Sequence, residues 1–422
     1  MFDQIRPMIS PAILCFPVCF IEDLCSTYAA RCATFATISA FAIQIIFNPP
    51  YENSLYNYLS GFLSSWYIIW SANVLLIHDV RALKRIQKLG LPSDSVSYCW
   101  ECLPPAFSYR RVLWALDLST NFRVIGWKHS SVQGGRTPVT CCDDNFPIVK
   151  PEKSEFGGPP SFVANQVRRL ITACIALNLS RLLLDIDWNI ASSKSGLSTS
   201  HTAVEILGTA LAIYGFIDGL HALMAFIAVG LLGPLYLGAA GEAWMYPPLF
   251  GTFIGLKSLR IKAIWGRLWH DLFKGGFLTF AKHLIPQTHL GLKATGSLQL
   301  ILCFGLSALV HAAASYSASS NVRSTLKVLL FFLSQPVGDI LQELWTSVAL
   351  GVFGRLCSRA RSQKLVTVTE FFIGVVWIYI TFPWGCQDVA MREAVRGVPL
   401  LYSKAGAQEA YHYVIATLQL SG

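Results

Sequence analysis

The chain has 422 residues, 53% hydrophobic and only 14% charged, with a formal net charge of +9 at pH 7. Soluble domains carry about 25% charged residues, so this deficit and the repeated apolar runs exclude an ordinary globular protein. They imply an all-α, polytopic helical membrane protein, because the runs are too long and unalternating for barrel strands. The positive charge lies in loops and accompanies no nucleic-acid-binding motif, which fits membrane orientation and attraction for anionic partners.

Residues 8–21 are apolar but short, a first span or an interfacial segment. Pro and the acidic pair Glu22 and Asp23 break up this region, so no secretory signal is expected. Residues 32–47 and 56–77 read as spans, the second rimmed by Tyr56, Trp66, Tyr67 and Trp70, rings that favour the headgroup level. Residues 78–169 are basic, with Arg81, Lys84, Arg85, Lys88, Arg110 and Arg111 among others, and the positive-inside rule places them in the cytosol. Their second half is rich in Gly and Pro and reads as irregular.

A span at 170–184 ends at Asp185 and Asp187, and a lumenal loop at 191–200 carries one lysine. Residues 203–232 form a long apolar helix or helix pair containing Glu205, Asp218 and His221, ended by Gly233-Pro234. Helical spacing puts Asp218 and His221 on one face, as a polar site lining a pocket or as helix–helix glue. The run 257–283 is basic and aromatic, and Trp265, Trp269 and Phe273 recur at i, i+4 and i+8, which predicts one amphipathic helix in the cytosolic interface.

Residues 296–316 are apolar for about the 20 residues a span needs, interrupted by His311. An ionisable group at membrane depth is costly, so this imidazole either faces a working cavity or is neutral glue to a neighbouring helix. A further span at 325–348 contains Pro336, Asp339 and Glu343, and Arg355, Arg359, Arg361 and Lys364 mark a short cytosolic loop before a last span at 366–384. The chain thus divides into transmembrane helices at 1–77, a basic cytosolic region at 78–169, a transmembrane core at 170–385 and a tail or terminal helix at 386–422, with about seven to nine spans.

Of twelve cysteines, many sit in apolar runs as small hydrophobes. Cys99 and Cys102 form a CxxC, but the later Cys141-Cys142 pair is adjacent and lacks a turn-rich knuckle, so free thiols are expected and no metal is assigned.

The sharpest signal is Trp265-Gly266-Arg267-Leu268-Trp269-His270-Asp271-Leu272-Phe273, followed by Ser307-Ala308-Leu309-Val310-His311. It resembles the wax-synthase-like branch of the membrane-bound O-acyltransferases, which carry W-G-R-x-W-H-x-x-F and then a span with an S-G-L-x-H-like sequence. Arg111 to Asp117 with Asn121 to Trp127 is similar to the family block R-x-x-W-A-x-D-L…R-G-I-G-W, with Val124 in place of the usual Gly. Gln335-Pro336-Val337-Gly338-Asp339 through Glu343 resembles Q-P-x-G-x-x-x-E-D. The resemblance covers residues 60–385, and within the family it leans toward fungal acyltransferases of terpenoids and meroterpenoids.

The resemblance implies transfer of an acyl group, acetyl in the nearest likeness, from acyl-CoA to a hydroxyl of a lipophilic alcohol. It implies no permanently bound cofactor and an endoplasmic-reticulum membrane; the oligomeric state is left open. The chemistry needs a base for the hydroxyl proton and help for the carbonyl oxygen as it becomes an oxyanion. Burial disfavours imidazolium, which leaves a membrane-embedded His311 neutral and ready as base. His270 would polarise the thioester carbonyl or orient substrate. Trp265 and Trp269 would line the tunnel or anchor their helix. Arg267 would meet a CoA phosphate or lie plain in the interface. Ser307, Gln335 and Asp339 are further substrate-binding candidates, Asp339 with a structural alternative. No GxSxG elbow or HxxxDG motif occurs, so transfer would be direct. The rivals are a wax- or sterol-ester synthase using long-chain acyl-CoA, a proton-coupled transporter, for which no internal repeat is found, and a non-catalytic receptor or scaffold, which would leave His270 and His311 a coincidence.

Overall fold

The computed structural model describes residues 27–89, 97–129, 158–185, 198–252, 260–286, 291–356 and 358–386. The expected first span at 8–21, the Cys141-Cys142 pair, the Gly- and Pro-rich stretch through 157, the 191–197 part of the lumenal loop and the tail from 387 lie outside the described residues. Six described helices are long and apolar enough to cross a membrane, as an all-α polytopic protein requires.

Helix α1 (Tyr28–Phe47) leads into α2 (Ser54–Ser71), which continues as a π-helical turn through Ile77. The Asn53 side chain caps α2 by accepting from the Leu55 amide at 2.8 Å. Small residues let α2 approach its partners: Gly61 lies so close to Ser317 that a Cβ there would collide with the Ser317 hydroxyl. Aromatics of α2 fill the space beyond. Trp66 stacks on Trp70 at 5.8 Å and meets Phe273 at 4.4 Å, and a Cβ at Gly276 would collide with the same indole.

The basic region after α2 is more ordered than its composition suggests. Strands β1 (Leu83–Leu89), β2 (Ser97–Glu101) and β3 (Trp127–His129) form a small antiparallel sheet in the order β2-β1-β3. Glu101, almost fully buried, accepts from Arg85 and Arg110, so its charge is compensated. Helix α3 (Tyr109–Thr120) packs beside the sheet and is tied to α2: the Tyr67 hydroxyl donates to the Ser119 carbonyl at 2.7 Å and Trp70 Nε1 to that of Leu118 at 3.0 Å. Among the described residues no group of three or more His, Cys, Asp or Glu is placed to hold a metal. Cys102, expected as a free thiol, is held in a disulfide.

Helix α4 (Pro159–Asp185) begins eleven residues before the run read as a span and, with Arg168, Arg169 and Arg181 inside it, is not among the six helices apolar enough to cross a membrane. It packs along α5 (Ser198–Ala225, extended by a π-helical turn to Leu232). The 203–232 run is therefore one helix. Gly233 ends it with φ +65°, a conformation glycine adopts freely. The short helix α6 (Gly233–Leu237) follows. Three long helices complete the bundle: α9 (Leu292–Ser319), α10 (Val322–Leu356) and α11 (Arg359–Cys386), with α9 packed on α2 and α10. Between α6 and α9 lie α7 (Ile261–Ala263) and α8 (Lys274–Leu284).

Candidate functional site

The single amphipathic helix expected over 257–283 is not what forms. After α7 the chain makes a π-helical turn at Ile264–Leu268, then becomes extended at Trp269, and helix resumes only at Lys274. The Trp269 amide donates to the Ile264 carbonyl, five residues back, at 2.7 Å. The backbone beyond is claimed from another direction: the Gly251 amide donates to Leu268 and the Asp271 amide to Leu249, at 3.0 and 3.2 Å. This pairing requires Gly251, since a Cβ there would overlap the Arg267 carbonyl. Tertiary hydrogen bonds thus override the local 3.6-residue pattern.

The break swings His270 out of any helix and into the wall of a cavity of about 520 Å³. The wall draws on α2, α5, α9, α10 and α11, on the end of α3, and on segments 240–249 and 265–273. It is mostly aliphatic and aromatic, with few polar groups, the usual make-up of a small-molecule site. His270 and His311 both line it, so the structure brings together the two histidines the sequence singles out.

Helix α9 presents His311, and aromatic rings fix its plane. Phe332 of α10 stacks on the imidazole with centroids 4.3 Å apart and planes inclined by 14°, while Phe62 of α2 meets it edge-on at 5.1 Å. The Tyr58 hydroxyl lies 3.4 Å from His311 Nδ1. His270 is flanked by Trp269 and Phe250, each 5.8 Å away. Its Nδ1 is buried and has no hydrogen-bond partner, unusual for a group of this kind. Burial pushes the His270 pKa down to about 4, against the opposing pull of the Asp271 carboxylate, so the ring is neutral at pH 7.

Neighbouring contacts hold the segment. Arg123 forms an ion pair with Asp271 at 2.8 Å and donates to the Pro247 carbonyl at 2.6 Å. Asp117 accepts from Trp127 Nε1 at 3.0 Å. The block from Arg111 to Trp127 therefore braces the histidine segment, and Asp117, Asn121 and Arg123 also reach the cavity wall. Val124, where the resembled block carries Gly, has φ +60°, a left-handed conformation that disfavours a β-branched residue.

The remaining candidates divide. Trp265 and Trp269 line the cavity, 5.7 Å apart. Gln335 does not; fully buried in α10, it accepts from Trp265 Nε1 at 3.1 Å and donates to the Phe331 carbonyl and the Thr381 hydroxyl, so it steers the indole from behind. Arg267 is exposed and Ser307 partly buried, and neither lines the wall. Asp339 is buried in α10 away from the cavity, with Oδ1 unpartnered, and Glu343 one turn on is exposed. Sequence reasoning missed Tyr58, Phe62 and Phe332 as site residues, because an aromatic on an apolar helix looks the same whether it meets a neighbour or a cavity.

Helix α5 carries Asp218 and His221. Arg169 of α4 donates through Nε to Asp218 at 3.1 Å, through its terminal nitrogens to the other Asp218 oxygen and to Gln166, and to His221 Nδ1 at 3.2 Å. Asp218 is helix–helix glue, while His221 also lines the cavity.

No curated protein and no solved structure matches this chain. The sequence model of the Membrane bound O-acyl transferase family matches residues 246–334, which hold His270, His311, Trp265 and Phe332. The stretch that supplies His270 and His311 is therefore the stretch similar to that family, and the match supports a membrane-bound O-acyltransferase.

Proposed function

We propose that the protein transfers an acyl group, acetyl in this reading, from acyl-CoA to a hydroxyl of a hydrophobic acceptor such as a terpenoid or meroterpenoid alcohol. The observation that carries the proposal is the shared placement of His270 and His311 in one apolar cavity enclosed by helices. His311 Nε2 takes the acceptor's hydroxyl proton as the oxygen attacks the thioester carbonyl. The negative charge then rests on the former carbonyl oxygen, to which neutral His270 offers an N–H. Collapse of this intermediate breaks the carbon–sulfur bond, and the departing sulfur takes the proton from His311, so CoA leaves as the thiol and the imidazole is neutral again. General-base help is worth about 10²–10⁴-fold and one oxyanion donor about 10²–10³-fold, so the two imidazoles supply a substantial share of the acceleration.

The wall favours a neutral acceptor within the cavity. Arg123 is the only lysine or arginine in its described lining, and Asp271 and two carbonyls already occupy that guanidinium. The polyanionic end of CoA is thus left to the basic cytosolic face, and a lipophilic alcohol enters laterally from the bilayer.

The test is incubation of membranes containing the protein with labelled acetyl-CoA and a panel of terpenoid alcohols, fatty alcohols and sterols. Labelled acetate ester supports the reading. Ester formed only from long-chain acyl-CoA would reassign the protein as a wax- or sterol-ester synthase. No ester, with proton-coupled uptake of a solute, would make it a transporter.

A further inference from the structure

The cavity carries a second polar group that the acyl-transfer chemistry does not use. His221 projects from α5 into the wall, and its tautomer is set from behind. A guanidinium can only donate, so the Arg169 contact at 3.2 Å makes His221 Nδ1 an acceptor and leaves the ring proton on Nε2. Arg169 is in turn fixed by Asp218 and Gln166. The result is an N–H donor held rigidly in a mostly apolar wall.

Tyr246 adjoins it, with ring centroids 6.1 Å apart. The Tyr246 hydroxyl spends its proton on the Ala240 carbonyl at 2.9 Å, so toward the cavity its oxygen can only accept. Asp117 holds a further carboxylate at the same wall. Together they offer one fixed donor, the His221 N–H, and acceptors in the Tyr246 oxygen and the Asp117 carboxylate. A hydroxyl, which donates and accepts, is served by both; a carbonyl is served by His221 alone. A phosphate or carboxylate is disfavoured beside Asp117, since the surrounding cations are already paired, Arg85 with Glu101, Arg123 with Asp271 and Arg169 with Asp218.

We propose that His221, with Tyr246 and Asp117, forms a recognition subsite for a second, neutral oxygen function of the acceptor, a hydroxyl or carbonyl other than the hydroxyl that is acylated. His221 is thereby a specificity-determining residue. The proposal rests on the acyltransferase reading for the identity of the ligand as acceptor, but not for the existence of the subsite. A buried donor left without its partner discriminates strongly against a ligand lacking the oxygen.

The experiment compares wild type, His221→Phe and His221→Gln in membranes, using a decalin mono-alcohol and the matching decalin diol. His221→Phe keeps the ring's bulk and leaves Arg169 its bonds to Asp218 and Gln166, so the α4–α5 pair is not orphaned. Wild type should prefer the diol by about tenfold in kcat/KM. His221→Phe should raise KM for the diol about tenfold while leaving the mono-alcohol within twofold, and His221→Gln, which keeps an N–H, should recover part of the preference. Retention of the diol preference in His221→Phe overturns the proposal, as does equal loss for both alcohols. If wild type acylates neither, the acyltransferase reading fails separately. Equilibrium binding of radiolabelled diol then decides the subsite: about tenfold weaker binding to His221→Phe supports it and equal binding overturns it.

Discussion

The Tyr58 hydroxyl on α2 sits 3.4 Å from Nδ1 of His311 on α9, a contact between residues 253 positions apart. A base that accepts through Nε2 must carry its proton on Nδ1, and that proton needs an acceptor. The Tyr58 oxygen is placed to be that acceptor, so it orients the imidazole and holds the reactive tautomer. Tyr58→Phe keeps the ring and removes the oxygen. A neutral hydrogen bond contributes about 1 kcal/mol, so kcat should fall about fivefold with the acceptor KM little changed. A rise in KM at constant kcat would mean instead that Tyr58 binds substrate.

Arg169 and Asp218 are buried partners across the α4–α5 interface. Removing one member of such a pair strands a charge at a cost of about 3–5 kcal/mol, whereas replacing both by apolar residues is often nearly neutral. Asp218→Leu should therefore lower the thermal stability of the detergent-solubilised protein sharply, and Arg169→Met with Asp218→Leu should recover most of it. Equal damage in single and double variants would show that the pair contributes through shape rather than charge.

The pH response follows from His270. Its folded pKa of about 4 lies below the unfolded value of about 6.5, so between these values the unfolded chain binds more protons. The sign is fixed: stability is retained above about pH 6.5 and falls as pH drops toward 4, by roughly 3 kcal/mol at most from this residue. His270→Asn should remove that share of the acid sensitivity, read as a flatter dependence of the melting temperature on pH. A dependence unchanged in the variant would contradict the burial of this ring.

Val124 is held at φ +60°. Ala ordinarily stabilises a chain more than Gly, but a left-handed position costs any residue with a Cβ about 1–2 kcal/mol. Val124→Gly should therefore be more stable than Val124→Ala by about 1 kcal/mol, the reverse of the usual order. Thermal unfolding of the two variants side by side measures it.

The spans were legible because apolar length alone dictates them, and α9, α10 and α11 each contain the run read for them. His270 and His311 were legible only through the motifs around them. The break at Trp269 was not, since Trp265, Trp269 and Phe273 keep a helical period, and the hydrogen bonds that interrupt it come from residues 249 and 251. The small sheet was hidden in a basic stretch, its strands short and only in part apolar. Asp218 and His221 were visible as one polar face, but the partner that separates their roles, Arg169, lies on another helix. Gln335 is a substrate-binding candidate only through the resembled Q-P-x-G stretch; its hydrogen bonds to Trp265 and Thr381 are internal.

The central claim is that His311 is the base. The direct measurement is turnover of labelled acetyl-CoA and an accepted alcohol by membranes containing His311→Ala, with expression and insertion matched to wild type. Insertion should be normal and ester formation should fall by at least about 10²-fold. Ester formation near the wild-type rate would contradict it.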